Sequence, residues 1–211
     1  MSKSIHIAFL SVLLLALSQG VSAQSYKWYA AFGVGPSFLG DNDVSQAGTT
    51  LTGTFDTGAA GYGAVGAIFN DFRAEGELFV SVNDFDTLEA GGASATASGD
   101  VSAVALMANG YYDFQTGSKW RPYVGGGIGF ANVSINDLSS LGFFLADDDD
   151  TVFAYQLKAG IAYQFSPRWE GTLGYRYFGT QDGDFTDSTG AAFTADGLQE
   201  HVVEIGARVR W

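Results

Sequence analysis

Apolar and polar residues alternate one for one along much of the chain, the period of a β-strand whose two faces meet different surroundings. In Phe72-Arg73-Ala74-Glu75-Gly76-Glu77-Leu78-Phe79-Val80 the charges share one face, and Phe72, Ala74, Leu78 and Val80 share the other. Phe153, Tyr155, Leu157, Ala159, Ile161, Tyr163 and Phe165 oppose Gln156, Lys158 and Gln164 in the same way. Trp169, Leu173, Tyr175 and Tyr177 oppose Glu170, Thr172 and Arg176, and Val203, Ile205, Ala207, Val209 and Trp211 oppose Glu204, Arg208 and Arg210. Runs of this kind predict eight strands, near residues 26–37, 60–69, 72–82, 101–114, 120–131, 152–165, 169–178 and 201–211. In the second, Gly and Ala leave the phase ambiguous.

The connections alternate in length. Asn70-Asp71, residues 115–119 and residues 166–168 are short, whereas 38–59, 83–100, 132–151 and 179–200 are long and read as loops. Short turns at one end and long loops at the other, joining strands of about ten residues, predict an all-β, eight-stranded antiparallel up-and-down transmembrane β-barrel. Magnitude decides which face meets lipid. Each charge turned to lipid at the midplane costs about 2 to 4 kcal/mol, so a one-residue slip that exposed Arg73, Glu75 and Glu77 together is prohibitive. The ionic face must point inward, the reverse of a soluble barrel. Aromatic placement supports this: Trp28, Phe69, Phe72, Phe114, Trp120, Phe165, Trp169 and Trp211 all fall at the short-turn ends, as an interfacial girdle would. Pro36, Pro122 and Pro167 lie near strand ends or in a turn, where no ladder donor is missed.

Composition narrows the chemistry. The chain of 211 residues has 10 Lys plus Arg against 23 Asp plus Glu, a net charge of −13, two histidines and no cysteine. No nucleic acid is expected as a partner, since nothing would neutralise phosphates. Thiolate metal sites, cysteine nucleophiles and disulfides are excluded, and no cofactor is expected. The four long connections hold 17 of the 23 acidic residues and no Lys or Arg. Residues 1–23 read as an export signal, with Lys3 before an apolar run and Val21-Ser22-Ala23 at the cleavage site; the apolar run is too short for a spanning anchor. Residues 24–211 are then the barrel domain.

The predicted lumen brings Arg73, Lys158, Arg176, Arg208 and Arg210 together with Glu75, Glu77, Glu170 and Glu204, with Gln156, Gln164, Asn109 and Tyr111 beside them. Eight strands enclose only enough room for side chains, so these residues are expected to pair and plug the lumen, because leaving such ions buried and unpaired costs several kcal/mol each. The alternative is a narrow, porin-like ion or solute path. Asp147, Asp148, Asp149 and Asp150, with Asp182, Asp184 and Asp187, are a weak calcium candidate, although an EF-hand would need Glu where Phe193 stands. His201, beside Glu200, reads as a rim residue, because no nucleophile, base and orienter can be assigned with it; a lipid A-modifying enzyme is the less favoured reading. Gly61-Tyr62-Gly63-Ala64-Val65-Gly66 matches a nucleotide-loop pattern, but a strand follows where a helix is required.

Asn109-Gly110-Tyr111-Tyr112-Asp113-Phe114, Arg121-Pro122-Tyr123-Val124-Gly125-Gly126-Gly127-Ile128-Gly129, Ala159-Gly160-Ile161-Ala162-Tyr163-Gln164-Phe165-Ser166-Pro167-Arg168 and Gly174-Tyr175-Arg176-Tyr177-Phe178 resemble the small outer-membrane β-barrels of opacity-type surface antigens and OmpA-like proteins. The resemblance spans nearly the whole chain after residue 23. It implies a cell outer membrane of a Gram-negative bacterium, contact with outer-membrane lipid and lipopolysaccharide, and a structural and adhesin-like or antigenic role through the acidic connections toward host or matrix ligands. Val203, Ile205, Ala207, Val209 and Trp211 resemble the family's C-terminal insertion signal, read by the barrel assembly machinery, with Trp where Phe is usual. A monomer without enzymatic activity is expected.

Overall fold

The computed structural model describes residues 27–40, 42–46, 49–90, 93–140, 143–186 and 192–211. The expected export signal lies outside them. The strands are β1 (Lys27–Leu39), β2 (Asn42–Gln46), β3 (Thr49–Phe55), β4 (Gly58–Phe69), β5 (Phe72–Ala90), β6 (Ala93–Asp113), β7 (Trp120–Ser140), β8 (Phe143–Gln164), β9 (Trp169–Thr180), β10 (Gly183–Thr186), β11 (Ala192–Ala195) and β12 (Gln199–Arg210). Eight of these, β1, β4 to β9 and β12, pair antiparallel in the order of the chain. Pairing of β1 with β12, from Tyr29↔Arg210 to Leu39↔Glu200, closes the cylinder. Closure leaves no free edge within the wall, which lipid would not tolerate.

The short-turn end matches the expectation. Strand β4 hands over to β5 through Asn70 and Asp71, with Asn70 at φ 58°, a left-handed conformation that Asn adopts more readily than most residues. The phase of β4, unreadable in the sequence, is set by packing: Ala64, Tyr62 and Ile68 lie with Tyr29 and Ala31 on the inner face.

The other end corrects the expectation. Most described residues of 38–59, 83–100, 132–151 and 179–200 are strand, not loop. Strands β5, β6, β7 and β8 run for 19, 21, 21 and 22 residues, about twice the 9–11 that a tilted membrane strand needs. The β5–β6 ribbon continues to Ala90↔Ala93, and the β7–β8 ribbon to Ser140↔Phe143. Hairpin β2–β3 adds to the far half of β5, from Phe55↔Phe85 to Thr52↔Glu89, and β10–β11 joins β2 through Thr194↔Ser45. The physical reason is that a ribbon outside the membrane still satisfies its backbone donors and acceptors by cross-strand pairing. It needs no apolar face to do so, and hence shows no alternation.

The wall is inside out relative to a soluble protein. Phe32, Val34, Ile128, Leu157, Leu173 and Ile205 face outward and are each more than half exposed, whereas Arg73, Glu77, Lys158, Glu170 and Arg176 are buried within. All eight girdle aromatics, Trp28, Phe69, Phe72, Phe114, Trp120, Phe165, Trp169 and Trp211, stand on the outer wall at the turn end. Tyr112 bridges Phe72 and Phe114 edge-on, and Tyr163 packs on Trp120. Val203 and Ile205 face outward beside β9, above Trp211.

Candidate functional site

The lumen is the most chemically distinctive part of the molecule, and strand periodicity builds it. Successive inward positions on β5 place Arg73, Glu75 and Glu77 in a column, and β8, β9 and β12 contribute Lys158, Arg176, Glu204 and Arg208 to face them. At mid-height Glu77 is gripped by Arg176 through Nη1 at 2.7 Å and Nη2 at 3.0 Å, by Lys158 Nζ at 3.0 Å and by Gln156 Nε2 at 2.8 Å. Glu204 pairs with Lys158 at 3.0 Å and with Arg176 at 3.1 Å. Gln156 completes this layer by donating to Asn109 Oδ1 at 2.7 Å while its own carbonyl accepts from Arg176.

A second layer lies nearer the turns. Glu75 accepts from the hydroxyls of Tyr29 at 2.7 Å and Tyr111 at 2.8 Å. Arg73 donates Nε to both carboxylate oxygens of Asp113 and Nη1 to Tyr29. Glu170 gathers three cations: Arg208 at 3.0 Å, Arg121 at 3.1 Å, and Arg210. Fixed, charge-assisted bonds of this kind are the strong ones. Together the two layers bridge the lumen from wall to wall.

Several members escaped sequence reasoning. Asp113, buried and bound to Arg73, sits in phase with Asn109 and Tyr111, so its inward direction was available from spacing. Arg121 and Tyr123 share a phase likewise. Tyr29, Tyr62, Tyr111 and Tyr123 pack among the guanidinium groups, with Arg73 Cζ 4.2 Å from the centroid of Tyr111 and Lys158 Nζ 4.1 Å from that of Tyr62. Inward glycines make room for these rings. A Cβ on Gly66 would stand 2.6 Å from the Tyr29 ring, and one on Gly160 2.5 Å from the Tyr123 hydroxyl. Gly63, outward on the same strand as Gly66, meets nothing within 4 Å. Within the Gly61 to Gly66 pattern, Gly66 is the glycine that packs against a tyrosine, and all of it lies in strand β4.

Above Phe79 and Phe178, whose rings lie 4.9 Å apart, the interior changes character. Ala103, Ala105, Ala131, Ala154, Val133 and Val202 line it. Glu200 is fully buried there, although its place in an acidic connection suggested solvent. It accepts from Ser81 at 2.9 Å and Asn83 at 3.4 Å, and Ser37 donates to Asn83. His201 points the other way, onto the outer wall, where its Nδ1 shares a hydrogen bond with the Tyr175 hydroxyl and its ring lies 5.3 Å from Tyr177.

The calcium candidates are dispersed where they are described. Asp149 accepts from Asn132 at 2.9 Å, Asp150 from the Thr151 amide at 2.7 Å, and Asp182 from the Gly197 amide at 3.0 Å. The side chains of Asp147, Asp148, Asp184 and Asp187 lie outside the described residues. Among the described residues no three His, Cys, Asp or Glu converge on a metal position.

A closed cylinder with a lipophilic outside and an ionic inside defines a membrane β-barrel. The chain belongs to the outer membrane protein β-barrel domain family, whose model matches residues 8–210, and it is an outer-membrane protein. Its fold resembles that of the neisserial surface protein NspA, with a TM-score of 0.55 and 19% identity over 90% of this chain and 100% of that one. OprG from Pseudomonas aeruginosa superposes with a TM-score of 0.56 and 14% identity over 89% of this chain and 97% of that one. A major outer membrane protein from Thermus thermophilus gives 0.50 and 18% identity over 89% of this chain and 100% of that one. These likenesses concern the fold. The sequence matches no curated protein.

Proposed function

We propose that this protein is a monomeric, non-conducting, non-enzymatic membrane anchor that presents acidic β-ribbons at the cell surface for structural support and for contact with host or matrix ligands. The observation that carries this reading is the pair of ion layers, Glu77 with Arg176, Lys158 and Glu204, and Glu170 with Arg208, Arg121 and Arg210, spanning a lumen too narrow for both them and a free water column. With the interior filled, specificity falls to the ribbons, where loop-borne recognition on a rigid scaffold is the general pattern. The location of His201 beside Tyr175 on the lipid-facing wall supports a reading without catalysis.

The test has three arms. Reconstituted protein in planar bilayers is expected to give no stable conductance; reproducible unitary currents would favour the narrow channel. Cells expressing versions with the outer ribbons trimmed one at a time are expected to lose adhesion while retaining the barrel in the membrane. Adhesion unchanged by every trimming would sink the surface-contact role. Lipid A spectra from expressing cells are expected to match those of controls, and a gained or lost acyl chain would overturn the non-enzymatic part.

A further inference from the structure

Between the two ion layers lies a small space of about 10 Å³, lined by Ala31, Tyr62, Arg73, Glu75, Tyr111, Tyr123, Lys158, Thr172 and Arg208. That volume admits a single water-sized particle. Its lining carries three cationic side chains and one carboxylate. Two of the cations bring unused donors: Arg73 Nη2 and Arg208 Nε are buried N–H groups without an acceptor among the described residues. Both residues are at most 3% exposed, so bulk water cannot serve either.

The remaining contacts of these two arginines are committed elsewhere. Arg73 uses Nε on Asp113 and Nη1 on Tyr29, with its guanidinium over the Tyr111 ring. Arg208 uses Nη1 on Glu170, 3.0 Å away, with Asp113 at 3.8 Å. A buried donor left unmet costs about 1 to 3 kcal/mol, and more when charged. The charge imbalance is local to the space: Arg73, Lys158 and Arg208 line it against the single carboxylate of Glu75.

We propose that this space is a monatomic-anion site, in which a halide such as chloride accepts from Arg73 Nη2 and Arg208 Nε. Polyatomic anions are excluded by size, and a metal cation by the three positive neighbours. The ion completes the coordination of both guanidinium groups, offsets the positive lining of the space and ties β5 to β12 across the lumen.

Crystals of the barrel soaked in sodium bromide test this directly. Anomalous scattering at the bromine edge is expected to show one peak within hydrogen-bonding distance of Arg73 and Arg208; a water there with no bromine signal would overturn the site. In detergent, replacing gluconate by bromide at constant ionic strength is expected to raise the unfolding midpoint of the full chain saturably. Arg208→Lys keeps a cation for Glu170 but removes the Nε donor, and is expected to lose the saturable part of that shift. An identical halide response in both proteins would sink the proposal, whatever the variant's own stability.

Discussion

Below Phe79 and Phe178 the inward positions hold Glu77, Arg176, Lys158, Glu204 and their partners; above them the same strands turn Ala103, Ala105, Ala131, Ala154 and Val202 inward. The outer wall is apolar at both levels, with Leu157 and Leu173 at one and Val104 and Phe130 at the other. The two levels therefore differ in how strongly they specify register. A one-residue slip in the ionic half would exchange charges for leucines across the wall and expose the charges to lipid, whereas in β6 a slip would exchange Val101, Ala103 and Ala105 for Ser102, Val104 and Leu106. Since side-chain direction has period two, only the first exchange carries a heavy penalty. Pairing specificity is concentrated at the turn end, together with the aromatic girdle.

The largest expected effect follows from breaking the mid-height layer. Glu77→Leu leaves Arg176 and Lys158 with only Glu204 of their two shared carboxylates, and removing one member of a buried pair costs about 3 to 5 kcal/mol. Urea unfolding of the protein in lipid vesicles is the measurement. Combining Glu77→Leu with Arg176→Met is expected to recover part of that loss, since both charges then leave together. A loss under about 1 kcal/mol for Glu77→Leu alone would mean the layer is wet and the contrast between halves is not one of charge burial.

Next in size is the wall itself. Leu157, 63% exposed and next in sequence to buried Lys158, is expected to cost about 2 to 4 kcal/mol when replaced by Arg if it lies near the bilayer midplane. The same vesicle unfolding measures it. A neutral outcome would place that level of the wall outside the hydrocarbon.

The contrast between halves also explains what could be read from the sequence. The eight barrel strands, the three short turns and the inward direction of Arg73, Glu75, Glu77, Lys158, Arg176 and Arg208 all follow from alternation, because unlike faces leave a period-two trace. Where both faces are apolar, as in Val101 to Met107, strand existence is legible but the interior's content is not. Beyond the membrane neither face is constrained, so the outer halves of β5 to β8 and the small strands β2, β3, β10 and β11 pass for loops. Individual pairings were also hidden. Spacing puts Asp113 inside, but only the β5–β6 register, with Arg73 opposite Tyr111, brings it to Arg73 across 40 residues. Glu200 shows the opposite error: composition grouped it with acidic connections, while its phase with Val202 and Glu204 turns it inward.

A smaller effect isolates packing around the lumen tyrosines. On β4, Gly66→Ala would press a methyl against Tyr29 and the Ala74 carbonyl, both at 2.6 Å, while Gly63→Ala points to open space. Overpacking typically costs about 1 to 3 kcal/mol, so the first is expected to lower the thermal unfolding midpoint and the second to leave it unchanged. Equal behaviour of the two would remove the inward assignment of Gly66.

The smallest effect is the most discriminating, because it compares two buried carboxylates. Glu77 is held by cations, so Glu77→Gln weakens the charge-assisted bonds from Arg176 and Lys158 and leaves Glu204 as the carboxylate they share. Glu200 is held by Ser81 and Asn83, neutral groups, within an apolar surround. Glu200→Gln keeps an acceptor for the Ser81 hydroxyl while removing a charge that burial disfavours. Unfolding in vesicles is expected to show a clear loss for Glu77→Gln and little change or a gain for Glu200→Gln. A loss at Glu200 comparable to that at Glu77 would mean a cation serves the upper carboxylate, and the division of the lumen into an ion-paired half and a half without ion pairs would fail.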